Sequence, residues 1–190
     1  MKKLIIGSLF IISILSNTDA QFTKIGGGVG LTSGFPFHNM SYDENKSGVI
    51  AVSFKSIYRI TGPFHFSPSF TFFFPHITQN LTTKTTVSSF TIDINCHYVF
   101  STIEKFEFYG LAGPDLLFAL KKEVTGPIIF KESDNVMGLN LGAGTNMKIT
   151  EKLDVFGEVK YIFSKYDQFV INAGILLSID WKKKNENSGL

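Results

Sequence analysis

The sequence predicts an all-β protein, in which eight antiparallel strands close up-and-down into a transmembrane β-barrel behind a cleaved signal peptide. Three observations lead there. Segments of ten or more residues alternate apolar with polar or small side chains. The chain has 20 Phe in 190 residues, yet after the start no run of 18 apolar residues. Its first twenty residues have the layout of an export signal. Alternation spreads a heavy aromatic load over one face of each strand, as a lipid-facing barrel wall requires.

The signal comes first. Met1, Lys2 and Lys3 form a basic start, residues 4–15 an apolar run, and Ser16 to Ala20 a small polar exit. Cleavage is expected after Ala20. The apolar run is about a dozen residues, too short to cross a bilayer core of roughly 30 Å as a helix. No Cys follows the cut, so a lipid-anchored lipoprotein is not indicated. The expected organisation is residues 1–20 as signal peptide, 21–181 as barrel domain and 182–190 as a short basic polar tail.

Setting aside Lys2, Lys3 and Asp19 leaves 16 basic against 15 acidic residues. Such a balance argues against nucleic acid as partner, which favours a basic stripe. The single cysteine, Cys96, has no internal partner for a disulfide. Small exported soluble domains often depend on such bonds, so another source of stability is expected, and a membrane supplies one.

Eight strands follow in order. Residues 21–31 are glycine-interrupted by Gly26, Gly27, Gly28 and Gly30. Residues 49–58 set Ile50, Val52, Phe54 and Tyr58 against Ala51, Ser53 and Lys55. In 62–74, Phe64, Phe66, Phe70 and Phe72 oppose His65, Ser67, Ser69 and Thr71; in 88–100, Phe90, Ile92, Ile94, Cys96, Tyr98 and Phe100 oppose Ser89, Thr91, Asp93, Asn95 and His97. Residues 105–120 alternate weakly. The clearest alternation lies in 136–149, 153–163 and 169–181. Successive side chains of a strand point to opposite faces, so each segment has one oily and one polar or small side.

Residues 32–47, 75–83 and 121–133 are expected as long irregular loops at the outer end. Tight turns are expected at 59–62, 101–104 and 150–152, with a short link at 164–168. Tilted membrane strands need about 9–11 residues, against five or six for common soluble strands. Pro68 and Pro114 fall inside strands, where each removes a ladder donor.

Lys55, Asp93, Glu107, Asp154, Glu158 and Lys160 share the polar faces and are expected to form an interior cluster, with Asp180 on the corresponding face. Unpaired buried charge is costly, and eight strands leave an interior just wide enough for side chains to fill. A structural plug, not a conducting path, is the expectation. His65 and Ser67 could suggest a nucleophile and its base, but no Glu follows in the same hairpin to hold the histidine. His38, His76 and His97 lack metal-ligand spacing. The glycines at 26–30 complete no dinucleotide fingerprint. No cofactor is implied.

The segment Gly138-Leu-Asn-Leu-Gly-Ala-Gly144, the turn Ile149 to Leu153 and the strand at 155–163 resemble the OmpX/OmpA-like, opacity-protein type of eight-stranded outer-membrane barrel. Long Phe-rich strands and the Ala-Gln cleavage are similar to Bacteroidota outer membrane protein beta-barrel domains. Asn172, Gly174, Leu177 and Ile179, with Trp181 in the terminal aromatic place, resemble the last-strand signal read by the barrel-assembly machinery. Nine residues after Trp181 depart from that pattern. The resemblance implies a bacterial outer-membrane location, with outer-membrane lipid and lipopolysaccharide as surroundings. It also implies a non-enzymatic structural or surface-interaction role through exposed loops. The alternatives are a lipid A acyl hydrolase using Ser67 and a soluble lipocalin-like carrier. The early Gly-x-Trp of lipocalins is absent.

Overall fold

A computed structural model describes residues 21–34 and 49–179. Its eight strands are β1 (Gln21–Thr32), β2 (Ile50–Thr61), β3 (Phe64–Gln79), β4 (Thr83–Ile103), β5 (Phe106–Thr125), β6 (Ile128–Lys148), β7 (Leu153–Phe163) and β8 (Gln168–Ser178). Every neighbour pair is antiparallel, and β1 pairs with β8 to close the barrel. Closure gives each backbone group within hydrocarbon a partner, since lipid supplies none. The expected signal, tail and Trp181 lie outside the described residues.

The alternation read from the sequence places the faces. On β4, Thr91, Asp93, Asn95 and His97 are buried, while Ile92, Ile94 and Tyr98 are exposed on the outside. On β6, Met137, Leu139 and Leu141 face out, whereas Asn140 and Asn146 are buried inside. Exposed Val, Ile, Leu, Phe, Tyr and Met side chains surround the barrel. A water-soluble carrier would place this apolar set inward and its polar set outward, the reverse of what is found.

Two expected outer loops are corrected. Residues 75–83 and 121–133 mostly continue the strands, because β3 and β4 pair up to Gln79↔Lys84 and β5 and β6 up to Thr125↔Ile128. The three-residue turn 80–82 and the two-residue turn Gly126-Pro127 close these hairpins. Gly126 has φ of +58°, a left-handed value that glycine adopts without penalty. Thr83, Thr85, Thr86 and Val87 are β-branched and favour extended backbone. Residues 35–47 of the first expected loop lie outside the described part.

Both prolines stay within their strands. Pro68 pairs with Ile94 on one side, while the β2–β3 ladder passes from Lys55↔Ser69 to Tyr58↔Phe66 without it. Pro114 pairs with Leu139, and the β4–β5 ladder skips from Asp93↔Asp115 to Cys96↔Ala112. Each missing N–H therefore falls in a gap of one ladder. Close approach also shapes the β1–β8 seam: a Cβ on Gly174 would strike the Gly27 carbonyl and the Phe156 ring.

Candidate functional site

The lumen is filled in layers. Near the outer end Ala51, Phe73, Val87, Leu117, Ala119 and Tyr166 form an apolar layer, with Val136 against it. Tyr166 comes from the link between β7 and β8. Its hydroxyl donates to Asp134 Oδ2 at 2.7 Å, and Lys165 Nζ lies 2.6 Å from the same oxygen. The bond to Asp134 first, then that to Tyr166, holds the exposed Lys165 ammonium above its usual pKa. Nearer the turn end, Ile57, Phe156 and Leu176 form a second apolar layer.

Between these layers run buried charges. Lys160 Nζ is 2.8 Å from Asp93 Oδ2, and Lys55 Nζ is 2.6 Å from Glu158 Oε2. Asp93 has two further donors: Asn140 Nδ2 donates to its Oδ1 at 2.7 Å and Ser69 Oγ to its Oδ2 at 3.0 Å. Asp115, 0% exposed, stands directly opposite Asp93 in the β4–β5 register, so two carboxyl groups lie in one buried row while Lys160 pairs with Asp93. Tyr109 donates to Glu158 at 3.1 Å, and its ring stacks on His97 at 4.3 Å between centroids. Lys55 also lies over the Phe156 ring, 4.7 Å from its centroid. Such pairs hold only because each charge has a partner and further hydrogen bonds in a low-dielectric interior.

The six residues expected as one cluster therefore divide. Lys55, Asp93, Glu158 and Lys160 come together at mid-barrel. Asp154 pairs instead with Lys24 at 2.5 Å, toward the turn end. Glu107 is half-buried and accepts from Asn146 Nδ2 at 3.0 Å. These last four, with Lys148, line a shallow vestibule of about 130 Å³. The sequence reading missed Lys24, Ser69, Tyr109, Asp115 and Asn140 as partners. Their inward parity on assigned strands is the signal that could have found them.

Neither alternative chemistry gains a site. His65 and Ser67 both point into the lumen, 6% and 1% exposed, so the hydroxyl has no access to acyl chains outside the wall. Among the described residues no three His, Cys, Asp or Glu side chains are grouped to hold a metal. Cys96 is exposed on the outer face. In the last strand Asn172 donates to Ser53 Oγ at 2.7 Å, Gly174 lies on the β1 seam, and Leu177 faces outward.

A closed antiparallel barrel with an apolar outside and a charge-paired inside is an integral membrane protein that crosses the bilayer with strands. The family described as outer membrane protein beta-barrel domain matches residues 6–182, and the chain belongs to that family. Its place is the bacterial outer membrane. No curated protein sequence matches the chain. Among solved structures it is similar to Ail, the attachment invasion locus protein of Yersinia pestis. Identity there is 13% and TM-score 0.59, over 83% of this chain and 97% of that one. It is similar also to Neisserial surface protein A, at 13% identity and TM-score 0.58, over 84% and 99% of the two chains. The N-terminal β-barrel domain of Pseudomonas aeruginosa OprF gives 12% and 0.54, over 85% and 100%. At such identities the likeness is one of fold.

Proposed function

We propose that this chain is a non-enzymatic, non-conducting outer-membrane scaffold that carries a rigid β-sheet beyond the membrane for surface interaction. The observation that carries this reading is the height of β4, β5 and β6, which have 21, 20 and 21 residues. About 9–11 residues suffice to cross the bilayer. Pairing between β6 and β7 stops at Leu139↔Phe163, so residues 128–138 of β6 have β5 on one side and no strand on the other. Two hairpins thus stand above the rim as one four-stranded sheet. Their tips present Leu81 in one turn and Ile128, Ile129 and Phe130 at the start of β6, all exposed. Ail, one of the similar folds, has been crystallised with a heparin analogue, sucrose octasulfate; a surface ligand for this chain is consistent with that precedent.

The stacked apolar layers and paired charges support a sealed lumen. In the same reading the signal peptide is removed after Ala20, and the β8 residues Asn172, Gly174, Leu177 and Ile179, with Trp181 beyond, are read by the barrel-assembly machinery. Lipopolysaccharide surrounds the barrel at its outer rim.

The test replaces residues 122–131 by an Asn-Gly turn and compares cells displaying either barrel on arrays of host and bacterial surface glycans and proteins. Binding present in the full chain and lost in the trimmed one, with heat-modifiable migration preserved in both, is expected. Binding retained by the trimmed barrel, or stepwise conductance of the full chain in planar bilayers, would overturn the proposal.

A further inference from the structure

The outer face of the tall wall changes character over three successive rows. The lowest of these rows is aromatic. Phe90 and Phe118 stack at 4.8 Å between centroids, and Phe70 packs on Phe90 at 5.5 Å. The register sets Phe72 beside Phe90, and Phe118 beside Asn135. Next comes a row of Ser88, Leu120 and Ser133, paired in sequence across β4, β5 and β6. Above it Thr86, Lys122 and Lys131 form a third row. Lys84 lies on the same face one row higher.

Two features of this surface call for an occupant. Lys122 and Lys131 are direct cross-strand neighbours, which places their Cβ atoms about 5 Å apart, and like charges in that relation are destabilising. Among the described residues neither has a carboxylate within ion-pair distance, although the sheet has carboxylates on its other face, at Glu132 and Asp134. Directly below the pair, a groove of about 270 Å³ opens between the aromatic and hydroxyl rows. Its walls include Phe72, Ser88, Phe90, Phe118, Leu120 and Ser133. An apolar slot, then hydroxyls, then an uncompensated double positive charge is complementary to one kind of molecule. That molecule has acyl chains, a polar sugar and a phosphate, in this order from the membrane outward.

We infer that the outer face of β4, β5 and β6 is a binding site for one phosphorylated, acylated glycolipid of the outer leaflet. An acyl chain lies on the Phe90–Phe118 shelf and the phosphate is held between Lys122 and Lys131. Phosphate oxygens accept from both ammonium groups, turning their mutual repulsion into attraction. Ser88 and Ser133 offer hydroxyls at the depth of the sugar. The inference rests on the outer-membrane location, and is independent of whether the sheet above also meets a surface partner.

The test uses the full refolded barrel in phosphatidylcholine nanodiscs doped with bis-phosphorylated lipid A, with native mass spectrometry counting lipid A retained per barrel. One lipid A retained is expected. The double variant Lys122→Gln, Lys131→Gln should lower the apparent affinity on the order of thirtyfold, taking about fivefold for each lysine at a charged lipid surface. Lys105→Gln with Lys152→Gln makes the same charge change at the opposite rim and should leave retention unaltered. Phe118→Ala should weaken retention with no change in charge. Heat-modifiable migration of every variant separates loss of the site from loss of the fold. Equal retention by the Lys122/Lys131 variant, or equal retention of dephosphorylated lipid A, overturns the site. Displacement of lipid A by millimolar inorganic phosphate overturns it as well, by showing a site for the free anion.

Discussion

The two walls of the barrel have the same inside-outside logic but different heights. β7, β8, β1 and β2 have 11 or 12 residues. β3, β4, β5 and β6 have 16 to 21. The short wall matches what about 30 Å of hydrocarbon demands of a tilted strand. Above the Phe90–Phe118 row the surplus in the tall wall has no hydrocarbon to cross, and its outer face there brings in Ser88, Ser133, Thr86, Lys122 and Lys131. Length fixed by the bilayer and length retained beyond it are therefore distinguishable on a single strand.

That distinction can be broken by mutation. The largest effect is expected where the walls are joined through the lumen. Asp93→Leu leaves Lys160 without its carboxylate and should destabilise the barrel by about 3–5 kcal/mol, measured by urea unfolding in lipid vesicles. Next, Ala143→Arg on the lipid face of β6, level with Val159 in the middle of β7, should cost about 2–4 kcal/mol, as for a basic residue near the bilayer midplane. In the same assay Ile129→Arg, on the same face of the same strand but above the rim, should cost close to nothing. Equal costs for the two would erase the boundary drawn here. Gly174→Val, which drives a side chain into the Gly27 carbonyl and Phe156, should cost about 1–3 kcal/mol by overpacking. The smallest effect belongs to the tall wall's excess: trimming residues 122–131 to a tight turn should change stability by less than about 1 kcal/mol.

The same contrast explains what was legible in the sequence. Within the bilayer every second residue must be oily, so β4, β6, β7 and β8 declare their faces, and β7 its extent as well. Above the rim water meets both faces, and the pattern dissolves into Thr, Lys and Glu; residues 75–83 and 121–133 thus read as loops although they are paired strands. Inward charges on β2, β4 and β7 were visible by parity. Their pairing was not, because which lysine meets which carboxylate depends on strand stagger across the lumen. Lys24, hidden in a glycine-interrupted strand, was lost for the same reason. Asp115 lies one residue beyond Pro114, where the β4–β5 ladder breaks, and alternation there is weak.

β7 has a consequence for the order of folding. Asp154 answers Lys24 of β1, Glu158 answers Lys55 of β2, and Lys160 answers Asp93 of β4. All three earlier strands have their counter-ions on one later strand. A half-built hairpin array in lipid would expose unpaired ammonium and carboxylate groups to hydrocarbon, which is costly. Insertion is therefore expected to need β7 in place, and a truncation before β7 should leave fragments that do not become membrane-embedded.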